Sequence, residues 1–383
     1  MKALIAVLIS ASIAGCASAP PLPPVADLFR DDLFQAASVP VRSDDAMAVS
    51  PAMREYIANR IAVTSRFSDP RRQLIDVLYR KDELQLEYDA THTRTAAQAF
   101  EARSGNCLAL VMMTAALAKE MGLKVRYQAV LGDDAWDRSG DLYIAVGHVN
   151  LTLGDRVPQA GFGFMENDPM TIDFVPARTA AALRTRVIPE HTVVAMFLNN
   201  RAVESLATGR VHDAYWWTRE ALRTDPEFLS AYITLGVVYR NLRHPALADL
   251  ALQRVLQREP ANTKALTNRA LVLDDLGRAA EAGALRQQLA RLDPHPPFSY
   301  FNEGMAALRQ NRPEAARALF AKEVDRAPYQ HEFQFWLAMA YLELRDPQRA
   351  SHHLKRAMEV STTRKDHDLY AGKLDRLKAL RNQ

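Results

Sequence analysis

The prolines in the second half of the chain recur at a fixed interval. Each step from Pro226 to Pro260, Pro294 and Pro328 spans 34 residues. A constant interval of this length indicates a repeated unit of two short helices, which buries its apolar face only by stacking on neighbouring units. From about residue 195 onward, the chain is therefore predicted to form an elongated all-α array and not a compact globular domain.

Small residues occupy two fixed positions within this interval. Counted from residue 195, the eighth position holds Ala202, Gly236, Ala270, Gly304 and Ala338, and the twentieth holds Ala214, Ala248, Ala282, Ala316 and Ala350. Small side chains at fixed positions predict close crossings between paired helices. The pattern resembles the tetratricopeptide repeat. This resemblance implies an all-α solenoid over residues 195–383, with five repeats and a C-terminal capping helix, that binds a protein or peptide.

Cys107 begins an apolar stretch that has the period of a buried helix. Leucine and methionine recur at steps of three and four residues up to Gly122, which is typical of a helix end. Unpaired backbone N–H groups and the helix dipole at this position favour a thiolate, the nucleophilic form of cysteine. The alternative is that Cys107 is a small buried apolar residue.

The residues around this stretch predict an α+β domain over residues 50–190. Helices are predicted at 51–64, 70–80 and 95–102, and strands at 84–88, 124–131, 142–153 and 170–175. Helices that are followed by antiparallel strands are typical of α+β domains.

Two strand residues could complete a catalytic group with the cysteine. A reactive thiol needs a base to accept its proton and a third group to hold that base. His148 lies on the predicted strand 142–153, on the face of Ile144 and Val146, and Asp173 lies in the middle of another predicted strand, where a carboxylate needs a partner. Each could instead be an ordinary polar residue on a solvated strand face.

Three short motifs contain these residues: SGNC at 104–107, GHVNL at 147–151 and TIDF at 171–174. In this order they resemble the transglutaminase-like superfamily of papain-type folds, and in particular bacterial proteins in which such a domain precedes tetratricopeptide repeats. The resemblance implies that Cys107 is the nucleophile, that His148 is the general base and acid, and that Asp173 orients the imidazole.

The resemblance also concerns the oxyanion that forms during acyl transfer. The backbone N–H of Cys107 would donate to it. Gln128 is a candidate second donor by its chemistry, although it could be merely a polar residue on a half-buried strand. Leu108 and Val149 replace the aromatic residues of the eukaryotic cross-linking enzymes. Hydrolysis of an amide bond, or another acyl transfer, is therefore expected instead of protein cross-linking.

The N-terminus has the pattern of an exported and lipidated protein. Met1 and Lys2 precede an apolar segment that is too short to span a bilayer. The sequence IAGC at 13–16 resembles the lipobox of bacterial lipoproteins, which implies a signal peptide over residues 1–15 and lipidation of Cys16. Residues 16–49, which begin with a proline-rich run, would be a tether, and the protein would lie on the periplasmic face of the outer membrane.

Composition narrows the remaining function classes. The net charge of +3 is small for 383 residues, and no basic run alternates with aromatics, so a nucleic-acid partner is not expected. No cofactor and no metal site are expected. The adjacent His352 and His353 would point about 100° apart on a helix, so they do not form a metal pair. Two functions stay open: a cysteine peptidase or amide hydrolase whose repeats recruit substrate, and a catalytically idle scaffold whose repeats bind a partner in the cell envelope.

Overall fold

The computed structural model describes residues 23–61, 69–80, 83–90, 92–130, 135–139, 142–154, 169–174, 184–361 and 363–381. The predicted signal peptide over 1–15 and the predicted lipidation site Cys16 lie outside the described residues.

In the described part of the chain, four α-helices precede the repeats: α1 (Pro51–Tyr56), α2 (Pro70–Tyr79), α3 (Ala96–Ala102) and α4 (Cys107–Glu120). Ser50, Asp69 and Thr95 cap the first three, because each side chain accepts a hydrogen bond from a backbone N–H of the first turn. α1 is shorter than the predicted helix, since a π-helical turn at Ile57–Ile61 follows it.

The described strands form three small sheets. The main sheet is antiparallel and has the order β7–β6–β3–β8, with β3 (Val125–Val130), β6 (Val149–Leu153), β7 (Met170–Ile172) and β8 (Thr185–Ile188). A parallel pair joins β1 (Glu87–Tyr88) and β2 (Ser104–Gly105), and an antiparallel hairpin joins β4 (Ala135–Ser139) and β5 (Leu142–Val146).

The prediction of one continuous strand over residues 142–153 is wrong. The segment forms β5 and β6, which are separated by Gly147 and His148. β5 pairs with β4, whereas β6 pairs with β3, so the two strands belong to different sheets. Partners distant in the sequence decide this break, and a local pattern does not show them. His148 therefore lies immediately before β6 and does not continue the strand of Ile144 and Val146.

Helix α4 is enclosed by the rest of the domain. Every residue from Cys107 to Ala118 is buried, which suits a helix that is apolar on all sides. It packs against α3, β3 and β6, and against the first helix of the repeats, α5 (Glu190–Ala207). Gly122 follows its C-terminus with a φ of +76°, a conformation that glycine adopts without strain.

From residue 190 to residue 359, the described chain forms ten helices that pack as five successive pairs. They are α5 (Glu190–Ala207), α6 (Val211–Thr224), α7 (Leu229–Asn241), α8 (Pro245–Arg258), α9 (Thr263–Asp275), α10 (Ala279–Leu292), α11 (Ser299–Arg309), α12 (Pro313–Arg326), α13 (His331–Glu343) and α14 (Pro347–Glu359). α15 (Arg364–Arg381) packs on α14. Among the described residues, no helix has both the length and the apolar composition that crossing a bilayer requires.

The small residues of the 34-residue unit lie where paired helices cross. A Cβ atom added to Gly236 would be 2.9 Å from Leu252 Cγ, and one added to Gly304 would be 2.6 Å from Phe320 Cε1. The eight alanines at the two repeated positions have exposed fractions of 2% or less. The repeated small residues therefore allow the helices of each pair to approach closely.

Residues 25–43, here called the N-terminal strap, are bound to the first repeats, whereas the sequence predicts a tether over residues 16–49. Phe34 stacks on Tyr215 with ring centroids 3.6 Å apart. Ser38 donates to the carboxylate of Asp213 from its backbone N and its hydroxyl, at 2.7 and 2.6 Å. The hydroxyl of Tyr239 donates to the backbone oxygen of Leu28. These partners lie about 180 to 210 residues further along the chain, so the local sequence does not indicate them.

Candidate active site

The helix that carries Cys107 begins with a side-chain cap. Asn106 Oδ1 accepts a hydrogen bond from the backbone N of Ala109 at 3.0 Å. Cys107 is the first residue of α4, so its backbone N–H is one of the initial amides that have no acceptor within the helix. Gly105 precedes the cap, and a Cβ there would lie 2.9 Å from Ala109 Cβ. The chain therefore passes close to the first turn just before the cysteine.

The register of β6 and β7 brings Asp173 towards His148. Thr152 is opposite Thr171, and their hydroxyl oxygens are 3.0 Å apart. β7 ends at Ile172, so the prediction that Asp173 lies in the middle of a strand is wrong, and Asp173 directly follows the strand. Continuing the register by one residue beyond Ile172 places Asp173 opposite Asn150. Since strand residues two apart share a face, His148 is the next residue on the side of Asn150.

The imidazole of His148 contacts the carboxylate of Asp173. His148 Nε2 and Asp173 Oδ2 are 2.8 Å apart, and their side chains have exposed fractions of 9% and 17%. Burial lowers the pKa of His148, but the interactions with Asp173 and Cys107 outweigh burial and raise this pKa to about 9. The imidazole is therefore expected to carry a proton at neutral pH.

The sulfur of Cys107 lies near the imidazole of His148. It is close enough to raise the pKa of His148. Among the described residues, however, the buried Nδ1 atom of His148 has no hydrogen-bond partner of good geometry. Because Nε2 is occupied by Asp173, Nδ1 is the nitrogen available to the thiol. The two groups are close without a well-formed hydrogen bond, as is common in active sites without substrate.

Asn150 is a residue of this cluster that the sequence-based prediction did not include. Its Nδ2 donates to Asp173 Oδ2 at 3.4 Å, and its side chain is buried. Its Oδ1 is buried and has no hydrogen-bond partner among the described residues. The signal in the sequence was the spacing of two from His148, which places both on one face of a strand.

The predicted oxyanion donor Gln128 lies on β3, opposite Asn150 in the register. Register partners share a face, so Gln128 is diagonal to His148. Its side chain is half-buried and makes no hydrogen bond to another described residue. Gln128 therefore shares the face of Asn150, and its role as an oxyanion donor stays a prediction.

The described residues contain no group of three or more His, Cys, Asp or Glu side chains that could hold a metal ion. His352 and His353 lie on α14, where His353 Nδ1 is 2.9 Å from Gln334 Oε1. His353 stacks on the ring of Tyr341. This histidine therefore belongs to the packing between α13 and α14.

A match to a known protein family lies within the helical repeats. The Tetratricopeptide repeat family matches residues 233–297 and 301–357. Together with the five helix pairs, this match shows that the chain contains tetratricopeptide repeats. The curated human protein O-mannosyl-transferase TMTC3 is 26% identical over 215 residues, which are 54% of this chain and 22% of that protein. The chain thus spans about a fifth of the length of this relative.

Solved structures with some similarity cover about half of the chain. They include YrrB, a tetratricopeptide-repeat protein with an unusual peptide-binding site (20% identity, 47% of this chain, 92% of YrrB, TM-score 0.25). They also include pilF of Pseudomonas aeruginosa (20% identity, 49% of this chain, 94% of pilF, TM-score 0.28). TTC0263 of Thermus thermophilus is 18% identical over 47% of this chain and 98% of that protein, with a TM-score of 0.29.

Proposed function

We propose that the α+β domain is a transglutaminase-like cysteine hydrolase that cleaves an amide bond of a protein or peptide. The observation that supports this most directly is the cluster of Cys107, His148 and Asp173. Residues distant in the sequence meet there, with a carboxylate 2.8 Å from one imidazole nitrogen and a thiol close enough to raise the imidazole pKa. A base that is held by a carboxylate beside a thiol is the arrangement that thiol catalysis requires.

The first half of the reaction forms a thioester. The Cys107 sulfur attacks the amide carbonyl carbon, and negative charge develops on the carbonyl oxygen, to which the backbone N–H of Cys107 donates. The protonated His148 gives its proton to the amide nitrogen as the C–N bond breaks. An acyl group then remains on the sulfur, and an amine leaves.

The second half releases the acyl group. A water molecule attacks the thioester carbonyl carbon while His148 accepts one of its protons. The C–S bond breaks, a carboxylic acid leaves, and the thiolate and the protonated imidazole are restored. In both halves of the reaction, Asp173 holds Nε2 of His148 by a hydrogen bond. Nδ1 is therefore the nitrogen that exchanges protons with the substrate.

The repeats and the N-terminus complete the proposal. Tetratricopeptide repeats bind peptides or proteins, so the array recruits the substrate or a partner. The lipobox-like IAGC supports a lipid anchor at Cys16 on the periplasmic face of the outer membrane. Incorporation of radiolabelled palmitate that disappears in Cys16→Ser would support the anchor, and label that persists in this variant would exclude it.

Alkylation with iodoacetamide tests the catalytic group in the full chain. Peptide mapping distinguishes Cys107 from Cys16. In the wild type, we expect His148 to accelerate the reaction of Cys107, because a protonated imidazole beside the sulfur favours the anionic nucleophile. His148→Ala should slow the reaction at acidic pH by about tenfold or more. His353→Ala, which changes a histidine of the repeats, is the matched control.

One observation favours the second function, an idle domain on a scaffold of repeats. Cys107 has an exposed fraction of 3%, so a substrate carbonyl has little access to the sulfur. If the protein is a scaffold, alkylation of Cys107 should be slow and should not change in His148→Ala. The envelope proteins that co-purify with Cys107→Ser should then be the same as those that co-purify with the wild type. A hydrolase predicts that its substrates accumulate with Cys107→Ser.

A further inference from the structure

A chain of hydrogen bonds joins the first repeat helix to the cap of the cysteine helix. Glu204, on α5, accepts from the backbone N of Thr93 at 2.7 Å. The hydroxyl of Thr93 accepts from Asn106 Nδ2 at 2.8 Å. Asn106 Oδ1 in turn accepts from the backbone N of Ala109 at 3.0 Å. Three consecutive bonds therefore connect a carboxylate of the repeats to the turn that begins with Cys107.

The middle of this chain is shielded from water. Thr93 has an exposed fraction of 3%, and Asn106 one of 9%. A buried amide or hydroxyl that loses its partner is not readily compensated by solvent. The bonds of Thr93 and Asn106 are therefore expected to persist in solution, unlike those of exposed polar residues.

Glu204 is itself fixed on the repeat side. Its second carboxylate oxygen accepts from Arg201 Nη1 at 2.6 Å, one turn away on α5. The guanidinium of Arg201 lies 5.6 Å from the ring centre of Trp217 on α6. The position of the Glu204 carboxylate thus depends on the packing of the first helix pair.

The bond from Thr93 decides which way the Asn106 amide points. An asparagine side chain has a donor end and an acceptor end, and only the acceptor end can cap Ala109 N. With Nδ2 held by the Thr93 hydroxyl, Oδ1 faces the helix. Cys107 is the next residue, so the same cap fixes the backbone from which the sulfur projects.

We propose that Glu204 is a positioning residue for Cys107, acting through Thr93 and Asn106. The first repeat is then part of the unit that holds the thiol, in addition to any role in recruitment. The expected effect of Glu204 on the reactivity of Cys107 rests on the proposed function. The expected effect of Glu204 on the helix cap at Asn106 is independent of that function.

The first measurement tests the hydrogen bond between the Asn106 side chain and the Ala109 amide. Hydrogen exchange at the Ala109 amide in the full chain should quicken by about fivefold in Glu204→Ala and in Thr93→Val, because the cap then opens more often. Glu204→Gln keeps an acceptor for Thr93 N and should restore slow exchange. Glu220→Ala removes another repeat glutamate, which accepts from Ser43 Oγ at 3.1 Å, and should leave Ala109 unchanged.

The second measurement tests the reactivity of the Cys107 thiol. The alkylation rate at Cys107 is compared with and without His148→Ala, and this ratio gives the acceleration due to the imidazole. The acceleration should fall in Glu204→Ala, return in Glu204→Gln and stay unchanged in Glu220→Ala. If Glu204→Ala does not melt cooperatively, Glu204→Met replaces it, because methionine keeps most of the side-chain length but offers no carboxylate to the backbone N of Thr93. Thr93→Val tests the next bond of the chain, since it removes the hydroxyl that accepts from Asn106 Nδ2.

The outcomes separate the two proposals. Unchanged Ala109 exchange in Glu204→Ala would overturn the positioning role of Glu204. Unchanged exchange in Thr93→Val would overturn the path through the Thr93 hydroxyl. An equal effect of Glu204→Gln and Glu204→Ala would also overturn the positioning role, because the acceptor would then be irrelevant. If His148→Ala changes nothing in the parent chain, the proposed hydrolase fails, and Ala109 exchange still decides whether Glu204 holds the cap.

Discussion

The hydroxyl oxygens of Thr152 and Thr171 lie 3.0 Å apart across β6 and β7. This pair lies on the same face of the two strands as His148 and Asp173, a few residues along the sheet. A slip of one residue would turn the carboxylate to the opposite face of the sheet. The contact between His148 and Asp173 thus depends on strand pairing as well as on the two residues themselves.

Asp173→Asn should lower the pKa of His148. The carboxylate helps to raise this pKa to about 9, and burial opposes it. Without the carboxylate, only Cys107 still opposes burial, so the pKa of His148 should fall from about 9 towards its ordinary value of 6.5. An NMR titration of the imidazole measures the change. Asp249→Asn, which alters a buried carboxylate between repeats, serves as the control, and an unshifted His148 titration in Asp173→Asn would contradict the geometry.

The stability of the domain should depend on pH through His148. A folded-state pKa above the unfolded value means that the folded state binds the proton more tightly. The resulting stabilisation is complete below the unfolded pKa of about 6.5 and is lost as pH rises through about 9. Urea unfolding between pH 6 and 10, with His148→Gln as the reference, isolates this contribution. Parallel curves for the two proteins would argue against the raised pKa.

Gly304→Ala should destabilise the repeats, because the new Cβ would lie 2.6 Å from the Phe320 ring. A cost of about 1 to 3 kcal/mol is expected from overpacking. Gly283→Ala is the matched control, since a Cβ there meets nothing within 4 Å and should stabilise α10 by up to about 1 kcal/mol. Thermal melting of the full chain compares them, and equal shifts for both variants would contradict the close crossing.

Phe34→Ala should release the N-terminal strap from the repeats. The ring is 9% exposed and stacks on Tyr215, so its removal should cost about 3 to 5 kcal/mol. Limited proteolysis should then cut within residues 25–43 more rapidly. Val39→Ala changes an exposed residue of the same segment and should have little effect. Equal cleavage of the two variants would show that the strap does not depend on this stack.

The features that the sequence predicts well are local or periodic. The helix that starts at Cys107 follows from an apolar period and from the glycine that ends it, all within sixteen residues of the cysteine. The five helix pairs follow from an interval of 34 residues that recurs along the chain. In both cases, the residues that decide the structure are neighbours in the sequence or copies of one another.

The features that the sequence does not predict depend on distant partners. The break at Gly147 arises because β5 and β6 pair with different strands. Asn150 joins the site only through the register with β7. Thr93 is not a helix cap, and it acts only by holding Asn106. Its hydrogen bond to Glu204 joins residues that are 111 positions apart. Such contacts require the folded backbone, so a single sequence gives little sign of them.

The N-terminal strap also determines where a pulling force would act. Leu28 and Phe34 are fixed to Tyr239 and Tyr215 before the chain reaches α1. Tension applied at the N-terminus therefore enters the molecule through the first two helix pairs. The strap would have to peel from these helices before any load reached the sheet that carries His148 and Asp173.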